Sequence, residues 1–180
     1  MPEEHDKADA AVHPSAAWFA SRWRVSLFTG RIQMRVENIL PVAKQRLITI
    51  QADAPLMEAA KLLTDTHRAL LVVCGSDGVM VGVITKTDIV RQVARCDGDL
   101  SDAKIFAVMT QAVTSCHEKN LLHEVLGVMK ARGFVHIPII DQKSRPVGVV
   151  NARDALQALL REVKDEELLL RAYVMGVGYQ

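Results

Sequence analysis

The apolar positions of this chain fall into a pattern that occurs twice. Residues 47–50 alternate and are β-branched, which predicts a strand. Asp53-Ala-Pro55 follows as a helix-start signal, a capping residue ahead of an early proline. Leu56, Ala59, Ala60, Leu62 and Leu63 then share one face of a predicted helix. The apolar run 69–74 is short enough for a buried strand, and Gly75-Ser-Asp-Gly78 is a turn cluster. Residues 79–84 predict the return strand, and Thr85-Lys-Thr-Asp88 opens a second helix through Val93. The order is β-α-β-β-α.

Adding 66 to each position reproduces it: Glu58 falls on Glu124, Gly82 on Gly148 and Asp88 on Asp154, without a gap. Residues 113–116 predict a strand, 121–129 a helix, 136–140 a buried strand, 141–144 a turn and 147–150 the return. Asn151-Ala-Arg-Asp154 opens the last helix, which runs towards Tyr173 before Gly176 and Gly178 end it. The segments ahead of the units also match in kind, Val36-Glu-Asn-Ile-Leu40 against Ile105-Phe-Ala-Val-Met109. Three short strands and two helices cannot cover both faces of a sheet, so the units are expected to stack through their sheets. The predicted fold class is α+β, two β-α-β-β-α repeats related by a pseudo-twofold axis. Residues 1–35 form an N-terminal extension, partly disordered, with Trp18, Phe19, Trp23 and Phe28 as an aromatic segment. Residues 36–96 are the first repeat, 97–160 the second, and 161–180 a C-terminal helix and tail.

Composition narrows the function. Only 4% of the residues are aromatic against 49% hydrophobic, so the core is built from aliphatic side chains. The 22 lysines and arginines nearly balance 21 acidic residues, which implies no strongly basic face and no DNA partner. Cys74, Cys96 and Cys116 form neither a CxxC pair nor a Cys/His cluster. With Cys74 and Cys116 in apolar runs, buried thiols in a reducing, cytoplasmic compartment are expected. The acidic start and the lack of a long apolar run predict neither secretion nor membrane insertion. No nucleophile–base pair, metal set or paired catalytic carboxylates can be assembled, so no enzyme is expected. His117 and His123 straddle a strand–helix junction and make a poor metal pair, and no phosphate-binding glycine loop occurs.

The element that carries chemistry is Gly82-Val-Ile-Thr85-Lys-Thr-Asp88 and its repeat Gly148-Val-Val-Asn151-Ala-Arg-Asp154. Each is a strand end running into a helix N-terminus, where Thr85 or Asn151 can cap. The aspartate three residues later sits where the helix dipole favours a negative charge. A carboxylate held there can accept hydrogen bonds from both hydroxyls of a ribose. A single copy reads as a structural capping box; two copies at equal places in a repeat point to binding.

These elements, with Phe134-Val-His136-Ile-Pro-Ile-Ile-Asp141, resemble the paired CBS domains of a Bateman module over residues 36–160. The resemblance implies a non-catalytic regulatory module with two clefts for an adenosyl ligand: AMP, ADP, ATP, NAD or S-adenosylmethionine. It places the ribose on Asp88 and Asp154. Adenine would lie against residues 48–50 and 70–72 (Ile48, Ile50, Leu71) or against Thr114, Cys116, His136, Ile137 and Pro138. The Asp88 cleft, with Thr85, is expected to face His136 and Arg153 and so to hold a phosphorylated ligand more tightly. The Asp154 cleft has Asn151 where the family prefers Thr or Ser. Such modules pair into homodimers and act on a regulated partner that the sequence does not name. The alternative is a structural dimerisation module whose clefts bind nothing.

Overall fold

A computed structural model describes residues 34–96 and 103–176. The predicted aromatic segment, residues 97–102 and Gly178 lie outside them. The first unit runs from a 3-10 turn (Val36–Ile39) through α1 (Leu40–Arg46), β1 (Thr49–Gln51), α2 (Leu56–Asp65), β2 (Leu70–Cys74) and β3 (Met80–Thr85) to α3 (Lys86–Arg95). The second has α4 (Ile105–Val108), α5 (Leu122–Arg132), β4 (His136–Ile140), β5 (Pro146–Asn151) and α6 (Ala152–Gly176). In the first sheet β1 lies parallel to β2, and β2 antiparallel to β3; β4 and β5 form the second, antiparallel sheet.

The strand expected at residues 113–116 is not there; its place is taken by a single parallel bridge between Cys116 and Ile139. The reason is Pro138. In the first unit the Val72 amide donates to the Ile48 carbonyl at 2.9 Å. The equivalent position 66 residues on is a proline, which has no N–H to give. The two flanking bonds survive, Cys116 N–H to the Pro138 carbonyl at 3.0 Å and Ile140 N–H to the Cys116 carbonyl at 2.9 Å.

A second departure concerns how the units are completed. Asp53 does not cap α2; the N-cap is Pro55, and at α5 it is Leu121, neither with a side-chain bond. Backbone from the segment leading into the other repeat satisfies those helix starts instead. The Leu56 amide donates to the Ala103 carbonyl, and the Leu122 amide to the Met34 carbonyl, each at 2.8 Å. The segment ahead of each repeat has been exchanged. Val36, Ile39 and Ala43 are buried in the core of the second unit with Leu122, Met129, Ile137 and Ile139. Ile105 and Met109 are buried in the first with Leu56, Leu63, Leu71 and Ile84. The sheets also meet, as expected, through Val72, Cys74 and Val149.

The exchange explains the glycine of each motif. A Cβ on Gly82 would stand 2.7 Å from the Met109 sulfur and 2.9 Å from the Thr110 carbonyl oxygen. One on Gly148 would meet the Ala43 Cβ and the Ile139 Cδ1, each at 3.1 Å. Ala43 and Met109 are themselves 66 residues apart, so the same crossing is made twice. Helix ends are less symmetric: α5 stops on Gly133 at φ +69°, while the matching position after α2 is His67 at φ 53°, in a region that disfavours a Cβ.

Replacing Gly82 with Ala should therefore lower stability by about 1–3 kcal/mol, because one of the two neighbours is backbone. Gly148→Ala should cost less, since its neighbours stand farther off. Denaturant midpoints of the two variants check this; equal stability of Gly82→Ala and wild type would contradict it.

Candidate functional site

The two motif aspartates sit at the same place in the fold but have different partners. At α3, Thr85 and Asp88 close a reciprocal box. The Thr85 amide donates to Asp88 Oδ2 at 2.9 Å, and the Thr85 hydroxyl donates to the same oxygen at 2.6 Å. The Asp88 amide lies 3.3 Å from Thr85 Oγ1. Arg91, one turn on, donates from Nη1 to Asp88 Oδ1 at 3.0 Å. Asp88 is 7% exposed, the one buried charged residue among those described.

At α6 the box does not close. Asn151 Oδ1 accepts from the Arg153 amide at 2.8 Å, while Asn151 Nδ2 donates to His136 Nε2 at 2.9 Å. The Asp154 carboxylate instead accepts from Arg46, Nε to Oδ2 at 2.6 Å and Nη2 to Oδ1 at 3.0 Å. Arg46 ends α1, the exchanged helix that packs on β5, so the pair joins the repeats. Its fork geometry engages both carboxylate oxygens. The side chains are 30% and 19% exposed, so the pair is partly buried.

Differences at equivalent positions account for the contrast: Arg46 matches Ala112, Arg91 matches Gln157, and the residue facing each cap differs as well. Thr85 stands opposite Leu70 in the β2–β3 register, and Asn151 opposite His136 in β4–β5. Leu70 has no polar atom to offer, and the Thr85 hydroxyl is bonded to Asp88. His136 offers a ring nitrogen, and the Asn151 amide bonds to that. Because Nε2 accepts, the imidazole is neutral with its proton on Nδ1. Partial burial lowers its pKa from the ordinary 6.5, and Arg46 pushes it the same way, against a smaller upward pull from Asp154.

His136 therefore belongs with Asn151, Asp154 and Arg46, at the start of its own unit's last helix. The Asn151 contact lies within its own unit, whereas the expectation set His136 and Arg153 across from Asp88 in the facing cleft. Arg153 is exposed, with only its backbone amide tied to Asn151. Ile50, Leu71 and Ile137 are buried in the two cores, so they offer a cleft backbone rather than side chains. Ile48 is half-buried and gives its carbonyl to Val72. Pro138 is buried, and its carbonyl accepts from Cys116. Thr114 is half-buried, its hydroxyl accepting from Arg132 at 3.1 Å. Cys116 is 3% exposed, and burial pushes its thiol up to about 12, which makes it an inert packing group. Cys74 is raised as well, by burial and by Asp77.

Sequence reasoning missed Arg46 and Arg91. Arg91 carries a signal, a cation three residues after the motif aspartate on the same helix face. Arg46 carries none, being 108 residues from its partner. A groove of about 520 Å³ opens beside that ion pair, between Met34, Ile39 and Val42 on one side and Asp154, Ala158 and Glu162 on the other. Among the described residues no cluster of His, Cys, Asp and Glu could hold a metal ion, and no helix is long and apolar enough to cross a membrane.

The family model of the CBS domain matches residues 36–95 and 104–161. An uncharacterized 17.7 kDa protein of Acidianus ambivalens, encoded in the bps2 3′ region, is 31% identical over 123 residues, 68% of this chain and 73% of that protein. A homoserine O-acetyltransferase of Methanosphaera stadtmanae is 24% identical over 127 residues, but the chain spans only 25% of its length. Among solved structures, the CBS domain pair of protein MJ0100, in complex with 5′-methylthioadenosine and S-adenosyl-L-methionine, aligns at a TM-score of 0.59 with 26% identity. The alignment covers 72% of this chain and 97% of that one.

The depressed His136 pKa sets a pH test. A base that is harder to protonate in the folded state favours folding fully above its unfolded pKa, and that contribution is lost as pH falls below about 6.5. Urea midpoints between pH 7 and 5.5 should fall more steeply for wild type than for His136→Gln; parallel curves would contradict the assignment.

Proposed function

The chain belongs to the CBS domain family, and on that premise we propose that it is a non-catalytic regulatory module that binds an adenine nucleotide between its repeats. The observation that carries this reading is the group of four at the start of α6. Asp154 offers a partly exposed carboxylate at a helix N-terminus, where two ribose hydroxyls can be accepted. His136 and Arg46 supply a neutral imidazole and a guanidinium beside it, and the guanidinium suits a phosphate. The ligands of the MJ0100 domain pair are adenosyl compounds, which supports the same class here. Ligand binding would act on a partner by favouring one arrangement of the repeats over another.

The proposed order of the two clefts reverses the sequence-based one. The Asp88 carboxylate accepts three hydrogen bonds from its own helix start and Arg91, and it is more deeply buried. Adding a ribose there displaces more than it gains. Asp154 with Asn151, His136 and Arg46 is the primary site in this reading, and Asp88 with Thr85 the secondary one. The three free cysteines suit a reducing cytoplasm.

A second reading, a dimerisation module with unused clefts, draws on two observations. Both motif carboxylates already have partners within the chain. In addition, Val90 on α3 and Leu156, Leu160, Val163 and Leu170 on α6 are exposed apolar side chains that a second copy could cover.

Thermal unfolding with AMP, ATP, NAD, S-adenosylmethionine and 5′-methylthioadenosine separates the two. A ligand at a hundred times its Kd stabilises by about 2.7 kcal/mol. The nucleotide reading expects such a shift with AMP or ATP, and about tenfold weaker binding in Asp154→Asn than in Asp88→Asn, the loss of one charge-assisted bond. Unfolding unchanged by every ligand would favour the dimerisation module.

A further inference from the structure

The Arg46–Asp154 pair has a consequence for which adenosyl ligands the cleft accepts, and it rests on the reading just proposed. Both oxygens that a ribose would need are held by one guanidinium, in a fork with bonds of 2.6 and 3.0 Å. The guanidinium comes from the other repeat's exchanged helix, so it is not part of the α6 cap and can leave without breaking the helix start. Asn151 keeps that cap, through its bond to the Arg153 amide.

A ribose that takes Asp154 leaves Arg46 without its carboxylate in a position only 30% exposed, which is costly for a cation. A neutral adenosyl compound offers nothing in exchange. A ligand with a phosphate tail offers new oxygens to the same fork. The surroundings add to this bias. Arg68 is anchored by Nη2 on the Gln45 carbonyl at 2.8 Å, one residue from Arg46, and its Nε is buried with no hydrogen-bond partner. On the Asp88 side the corresponding cation, Arg91, is on the same helix as the carboxylate and 56% exposed, and losing its partner there costs little.

We infer that Arg46 is the specificity-determining residue of the Asp154 cleft, selecting adenosyl ligands with an anionic tail over neutral ones that share the same base and ribose.

The test compares AMP with 5′-methylthioadenosine, which differ at the tail. Binding to the full chain is followed at the His136 ring resonances, local to this cleft, in wild type, Arg46→Met and Arg46→Lys. Wild type should prefer AMP. In Arg46→Met the AMP preference should fall about tenfold, with 5′-methylthioadenosine bound as tightly as by wild type or more tightly, as expected for one charge-assisted contact. Arg46→Lys, charged but without the fork, should fall between. If wild type binds both and Arg46→Met keeps the same preference, the inference is overturned and the binding reading stands. If wild type binds neither, both fall. Should Arg46→Met not fold, Arg46→Lys decides alone: an AMP preference equal to wild type overturns the inference.

Discussion

Two backbone hydrogen bonds, Leu56 N–H to the Ala103 carbonyl and Leu122 N–H to the Met34 carbonyl, mark the constraint on which the rest of this fold depends. Each satisfies a helix start that has no side-chain cap, and each does so with backbone from the segment ahead of the opposite repeat. An orphan amide at a buried helix end would otherwise cost a hydrogen bond. The exchange thus fixes where the leading segments run. It buries Val36 and Ile39 in one core and Ile105 and Met109 in the other, and it demands glycine at 82 and 148 where they cross the strands. Neither unit has a complete core alone.

The same exchange carries Arg46 to Asp154. With α1 seated on β5, its last residue reaches the start of α6, and an ion pair between the repeats follows from packing rather than from local sequence. The contrast between the helix starts then follows from Arg46 matching Ala112, Arg91 matching Gln157, and the residues at strand positions 70 and 136. Leucine at the first leaves Thr85 bonded to Asp88; histidine at the second draws Asn151 away and leaves the Asp154 carboxylate to Arg46. A fold with near-equal halves has unequal chemistry through a few side chains around each helix start.

Much of this was legible in the sequence. The repeat at 66 residues, the helix starts at Thr85 and Asn151, and the turns at Gly75–Gly78 and 141–144 are local signals. They depend on periodicity and capping chemistry that each segment carries by itself. What failed depended on partners distant in sequence. Asp53 looks like a cap until the Ala103 carbonyl is seen to occupy the role. Residues 113–116 look like a strand until Pro138, 22 residues on from Cys116, is seen to withhold the amide that would pair them. The His136–Asn151 bond depends on strand register, which local sequence does not display, and Arg46 gave no signal at all.

The central claim is that the exchanged segments are integral to both cores, and native-state hydrogen exchange at the Leu56 and Leu122 amides tests it most directly. Both amides should open only with global unfolding, at the same free energy as Val72 and Ile139 in the buried strands. Exchange at Leu56 and Leu122 through a lower-energy opening, with the strand amides still protected, would mean that the leading segments only lie against units that are complete without them.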